Sequence, residues 1–278
     1  MEKREGTHPC PDPCLHKGKF IEEEEKWRKM GSTLFFFNNL CYDKPTMPRS
    51  LRITLPNLPF HVLDRGNNRQ VVFRDEQNFI YFLKLLKRYK KELKFKLYHF
   101  CLMPNHIHLV IEPTIDGSLP KIMMRLTLAY SSYFNKKYGG VGHVWQGRYK
   151  SSLIDREEYF IWCGLYVELN PVRAGLVVRS EDWRWSSYNF YAFGPGDPLI
   201  EGLIDVDSYY LKLGETSEER QKRYRQNVEE VIKEKFLQDI RKKLDEGVFG
   251  SLEFIKAMKE KFKIKSLMGR GRPRREEK

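Results

Sequence analysis

No stretch of the sequence approaches the roughly 20 consecutive apolar residues of a membrane-spanning helix, and the first residues, MEKREGTHPCPDPCLHKGKF, lack the unbroken apolar run of a secretory signal. Neither bilayer insertion nor export is expected. Cysteine is scarce and odd in number: Cys10, Cys14, Cys41, Cys101 and Cys163. A disulfide-stapled secreted fold is therefore not expected, and a reducing cytoplasm is; Cys101 and Cys163 lie in apolar segments, as small core residues do. No GxxxxGK[ST] run occurs, which excludes a P-loop nucleotide site. Cys10, Cys14 and His16 form a CxxxC cluster beside prolines, a poor zinc signature without a second cysteine pair. Acidic residues are also short, 37 against 50 Lys plus Arg, leaving a formal charge of +13.

That surplus attracts polyanions, and nucleic acid is the first partner it suggests. With 41% hydrophobic and 31% charged residues, the 278-residue chain has enough apolar material for one sizeable core under a polar surface. Residues 1–46 mix Pro-rich, acidic (EEEE) and aromatic (FFF) fragments without a sustained period, and are read as an extension with no fold of its own. Met47 opens a natural-looking protein start. Residues 47–195 then read as the catalytic domain and 196–278 as a charged helical C-terminal region with a break near Gly247 to Gly250.

Within the middle segment, FHVLDRG from Phe60 reads as a strand ended by the Gly66-Asn67-Asn68 turn, and Asp75 caps a helix whose Phe79, Ile80, Leu83 and Leu86 recur at helical spacing. FKLYHFCLM (95–103) and HIHLVIE (106–112) are β-rich runs joined by the turn dipeptide Pro104-Asn105, a predicted hairpin. Ser118 and Pro120 start a second helix that runs to about Lys137 and is closed by Gly139-Gly140. HVWQGRYKSSLI follows as irregular or strand structure. Asp155 caps a third helix, which must stop before Pro171. The order βαββαβα predicts an α+β, ferredoxin-like or RRM-like sandwich, one antiparallel sheet with helices on one face.

Two spacings carry chemistry. His106 and His108 lie two apart on a strand, so both imidazoles project from one face and can hold one cation. Tyr166 and Asn170 lie four apart on the third helix and share a face. Alone, the first pattern is equally that of two ordinary polar strand residues, and the second that of a core tyrosine with a helix-ending asparagine.

PNHIHLVI, WQGRYKS (145–151) and YVELNPVRAGLV (166–177), in that order, resemble the REP-associated tyrosine transposases of bacteria, members of the HUH single-tyrosine superfamily. The resemblance runs from about Met47 through WRWSSY (183–188). It implies that His106 and His108 bind a divalent ion, that the polar residue matching Asn170 completes the metal site, and that Tyr166 is the nucleophile. It further implies Mg2+ or Mn2+ as the ion, and single-stranded DNA with hairpin or palindromic repeats as the partner. The expected chemistry is nicking and rejoining through a 5′-phosphotyrosine. A phenol with an ordinary pKa of about 10 needs such help at neutral pH.

Trp145 to Lys150 interleave aromatic and basic residues, from which Arg148 and Lys150 are assigned to DNA, with Arg65 and Asn67 in the first turn beside them. GRGRPRR (269–275) resembles an AT-hook, with Arg270, Arg272 and Arg274 as minor-groove candidates. KLLKRYKKELKFK (84–96) reads instead as the solvated side of a helix. A monomer is favoured. Two other readings stand beside the transposase: an inactive relative that only binds structured nucleic acid, and a metallohydrolase that activates water directly and leaves Tyr166 structural.

Overall fold

The computed structural model describes residues 55–114, 118–156, 158–231 and 234–262, all within one compact unit spanning Leu51–Lys278. The N-terminal extension, the CxxxC cluster and the AT-hook-like arginines Arg270, Arg272 and Arg274 lie outside the described residues.

Strand β1 (Phe60–Arg65) ends in a 3-10 turn at Asn67–Arg69, where Asn68 and Arg69 adopt positive φ. Helix α1 (Glu76–Leu93) is capped by Asp75, whose carboxylate accepts the amide of Asn78 as the sequence predicts. The hairpin β2 (Lys96–Met103) and β3 (His106–Glu112) turns at Pro104-Asn105. Helix α2 (Leu119–Tyr138) carries proline in its first turn and ends on Gly139, whose φ of 65° is the left-handed conformation that a closing glycine supplies. After β4 (Lys150–Ile154) come α3 (Glu158–Glu168) and a short turn of helix, α4 (Asn170–Arg173), with Pro171 buried in its first turn.

The strands order β2-β3-β1-β4-β5, the first four mutually antiparallel. This is the predicted α+β sandwich with the βαββ crossover order. The C-terminal region adds α5 (Tyr188–Phe193), α6 (Ser208–Leu211), α7 (Ser217–Val231), α8 (Glu234–Asp245), the two-residue β5 (Val248–Phe249) and α9 (Leu252–Lys261). Strand β5 joins the sheet parallel to β4. The C-terminal region therefore completes the sheet as well as extending it.

The sheet is covered on both faces, not one. Phe100, Leu102, Ile107 and Leu109 point one way, where α1 and α2 pack together around Phe82 and Tyr130. His61, His99, Cys101 and His108 point the other way and are buried too, because α3 lies across them. Strands with hardly a polar position, such as LYHFCLM, bury both faces. The free edge of β2 is closed by the WRWSSY segment: the amide of Leu102 donates to the Trp185 carbonyl, the Ser187 amide donates to the Phe100 carbonyl, and the Phe100 amide donates to the Ser187 hydroxyl oxygen. Among the described residues no helix is long and apolar enough to cross a membrane.

Candidate active site

The histidine face of the sheet and the tyrosine face of α3 meet. The Tyr166 ring stands edge-on to His61 at 6.0 Å between centroids and to His108 at 6.1 Å, while His106 and His108 are 5.0 Å apart. The distant strand and helix that carry the candidate residues thus form one cluster.

Local sequence explains the close approach of α3. Gly164 lies against His99: a Cβ there would fall 2.5 Å from Cε1 of that ring, so only glycine lets the helix sit so low. One turn on, the fully buried Glu168 accepts from His99 Nδ1 at 2.9 Å, from the Ser187 hydroxyl at 2.5 Å and from the Tyr224 hydroxyl at 2.7 Å. One carboxylate ties α3 to β2, to the edge-closing segment and to α7. Three donors offset the cost of burying its charge.

The imidazoles are held neutral. Burial lowers His61 to about 4 against a weak opposing pull from Asp245, and lowers His106 to about 4 with help from the Arg65 charge. His108 is pushed well below the usual range by burial, reinforced by the neighbouring His61, His106, Arg65 and Arg173. Neutral rings can ligate a cation and charged ones cannot. His106 donates Nδ1–H to Asn105 Oδ1 at 2.6 Å, since a carboxamide oxygen only accepts, and this leaves Nε2 with its lone pair. His108 Nδ1 is paired with His61 Nε2 at 2.8 Å, so its Nε2 is likewise the ring atom left for a ligand.

Asn170 is the first residue of α4, just past the end of α3 at Glu168 and not on that helix as expected, and donates Nδ2–H to the carbonyls of Tyr166 and Val167. Its amide nitrogen ends the helix while Oδ1 remains an available donor atom to a cation, so capping and ligation are compatible. Imidazole nitrogens and a carboxamide oxygen are donor types that a divalent cation accepts. Among the described residues there is no group of three or more His, Cys, Asp or Glu that could hold a metal by themselves.

Tyr166 is subject to opposed forces. Burial raises its phenol, while a hydrogen bond and charge from Arg173, and the charge of Arg241 on α8, lower it. The Arg173 guanidinium lies over the Tyr166 ring at 5.1 Å and is itself exposed.

The candidate DNA residues divide. The turn bearing Arg65 and Asn67 is laced to the 144–146 segment: Asn67 N donates to the Val144 carbonyl at 2.8 Å and Gln146 N to the Arg65 carbonyl at 2.7 Å. Arg65 also pairs with His106 across the ladder. Arg65 therefore borders the histidines. Arg148 is exposed and lies with Asp64 and the α2 residues Met123 and Thr127, whereas Lys150 pairs with Asp245 of α8 at 3.2 Å. Trp145 packs in the core against Tyr130, and Lys84, Lys87 and Lys91 lie exposed on α1, whereas Lys90 pairs with Asp205 at 2.8 Å. Sequence reasoning missed His61, Asn105, Arg173 and Arg241. His61 was discoverable in principle, since it alternates with Arg65 along β1 and so shares its face.

The imidazole pair of the antiparallel sheet thus faces the tyrosine of α3. Residues 54–170, which hold strands β1 to β4 together with Tyr166 and Asn170, match the family of IS200-like transposases. The resemblance legible in the motifs is borne out. No curated protein matches the chain. Among solved structures, a REP-associated tyrosine transposase bound to a REP hairpin is 18% identical, with a TM-score of 0.45 over 58% of this chain and 90% of that one. A protein of Deinococcus radiodurans R1 assigned as a transposase is 16% identical, with a TM-score of 0.31 over 49% of this chain and 95% of that one.

Proposed function

We propose that the protein nicks and rejoins single-stranded DNA at hairpin or palindromic repeats, with Tyr166 as nucleophile and His106, His108 and Asn170 holding Mg2+ or Mn2+. The observation that carries this reading is the edge-on packing of the Tyr166 phenol against the His108 ring, 6.1 Å between centroids, although 58 positions separate the two in sequence.

The Tyr166 oxygen attacks phosphorus and forms a Tyr–O–P bond as the P–O3′ bond breaks. The departing 3′ oxygen takes a proton from solvent to become a free 3′ hydroxyl, and the phenolic proton goes to solvent. Arg173 favours the phenolate electrostatically and, being exposed, is the first cation an incoming phosphate meets. His106 and His108, kept neutral by burial, would hold the ion with Asn170, and when bound it would supply positive charge against the phosphate on which Tyr166 acts. Because the phosphotyrosine keeps the bond energy, a second 3′ hydroxyl can reverse the step without ATP. Arg65, Asn67 and Arg148 line the approach, and Lys150 joins them when released from Asp245. The arginines 270, 272 and 274 would add a sequence-tolerant hold on A·T-rich duplex.

The test is incubation of the purified chain with a hairpin oligonucleotide carrying a single-stranded flank and Mn2+, resolved on a denaturing gel. An SDS-resistant protein–DNA adduct that Tyr166→Phe abolishes while binding persists is the expected result. Cleavage without adduct would assign the site to a metallohydrolase, and binding without cleavage to a nucleic-acid-binding relative.

A further inference from the structure

We propose that His61 is a positioning residue: from the neighbouring strand it fixes the tautomer and orientation of His108 so that Nε2 of His108 presents a lone pair to the cation. The proposal rests on the reading of His106 and His108 as metal ligands, and it concerns a residue outside the paired-histidine motif.

His61 Nε2 and His108 Nδ1 are 2.8 Å apart, and the two rings meet edge to edge, nearly coplanar, with 18° between planes and 5.1 Å between centroids. Both rings are buried, His61 at 5% and His108 at 3% exposure, so water does not compete for this bond. Two neutral imidazoles sharing one hydrogen bond have two arrangements. If His108 donates, its proton sits on Nδ1 and Nε2 is bare. If His61 donates, His108 carries its proton on Nε2 and has no lone pair to offer. Only the first makes His108 a ligand.

His106 shows the same device beside it, since its Nδ1–H is committed to the Asn105 carboxamide oxygen at 2.6 Å. Each ring of the pair thus faces a partner at Nδ1, as metal-binding histidines usually do, and loss of such a partner typically weakens metal affinity by roughly 10–100-fold. His61 is itself held in place. It lies opposite Val110 in the β1–β3 ladder and opposite Ser152 in the β1–β4 ladder, with the Tyr166 ring edge-on at 6.0 Å. One residue therefore touches both the ligand and the nucleophile, so that any turn of its ring alters both.

The test has two arms. In the metal-free, 15N-histidine-labelled full chain at pH 7, long-range 1H–15N correlation should find the His108 proton on Nδ1 and His61 protonated on its own Nδ1. Mn2+ affinity, read by electron paramagnetic resonance, should then fall roughly 10–100-fold in His61→Leu, which fills the space but cannot accept. It should stay within about threefold of wild type in His61→Gln, whose side-chain oxygen can accept from Nδ1–H. A His108 Nε2–H tautomer in the wild type overturns the proposal whether or not the leucine variant folds. Equal Mn2+ affinity in wild type and His61→Leu overturns it as well. Wild-type protein that binds no Mn2+ overturns the metal reading and the proposal together, whereas a missing adduct with normal Mn2+ binding overturns the nuclease reading alone.

Discussion

At the scale of single residues, the cluster trades stability for availability. The unfolded chain protonates a histidine near 6.5, but His61 and His106 in the fold do so only at about 4. Between those values the unfolded state binds more protons, so stability rises with pH there, by up to about 1.4 kcal/mol per pH unit for each group. Thermal unfolding should therefore show the melting temperature falling markedly from pH 6.5 to 4.5 and changing little from pH 8 to 6.5, with a shallower acid fall in His61→Leu. An equal slope in that variant would mean that His61 charges freely in the native state. Arg173 acts on the nucleophile. Burial raises the Tyr166 phenol and Arg173 opposes it, so Arg173→Gln should move the rising, phenol-dependent limb of the pH–rate profile to higher pH. A limb that stays put would remove Arg173 from the account.

At the scale of elements, the helix α3 is a clamp. Gly164 lets it touch β2, and Glu168 fastens it to His99, Ser187 and Tyr224. Gly164→Ala must push the helix off the His99 ring, which we expect to cost about 1–3 kcal/mol of stability and to lower adduct formation, because Tyr166 rides on the same helix. Glu168→Ala leaves three buried donors unmet and should cost about 3–5 kcal/mol in urea unfolding. Much of this layout was legible in advance. The periodic apolar residues of α1, the Pro104-Asn105 turn, the Gly139 stop and the HxH and YxxxN spacings are local signals, and local chemistry decides them. His61, Arg241 and strand β5 were not legible, because their roles depend on which distant segments become neighbours. His61 matters only once β1 lies beside β3, and Arg241 only once α8 returns to α3. The covering of both sheet faces was present in the unalternating strands, but needs a helix after β4 that packs opposite the first two.

At the scale of the whole molecule, the +13 surplus is set against a site whose border is basic: Arg65 and Arg173 stand near the histidines, and Arg148 is exposed in the segment that follows the turn. Single-strand binding should weaken with salt, log K falling against log salt with a slope near −0.7 per phosphate neutralised, written as about −0.7Z. Arg148→Ala should reduce that slope by about one, while Lys150→Ala should change it less, since Asp245 already occupies Lys150. Identical slopes in both variants and wild type would take this loop out of the DNA path. The claim on which everything turns is that the phenol on α3 becomes joined to DNA. Tandem mass spectrometry of the protein after reaction with a hairpin oligonucleotide and Mn2+, followed by protease and nuclease digestion, reads this directly. The account predicts a nucleotide linked through phosphate to Tyr166; cleaved DNA with an unmodified Tyr166 peptide, or a link at another residue, would contradict it.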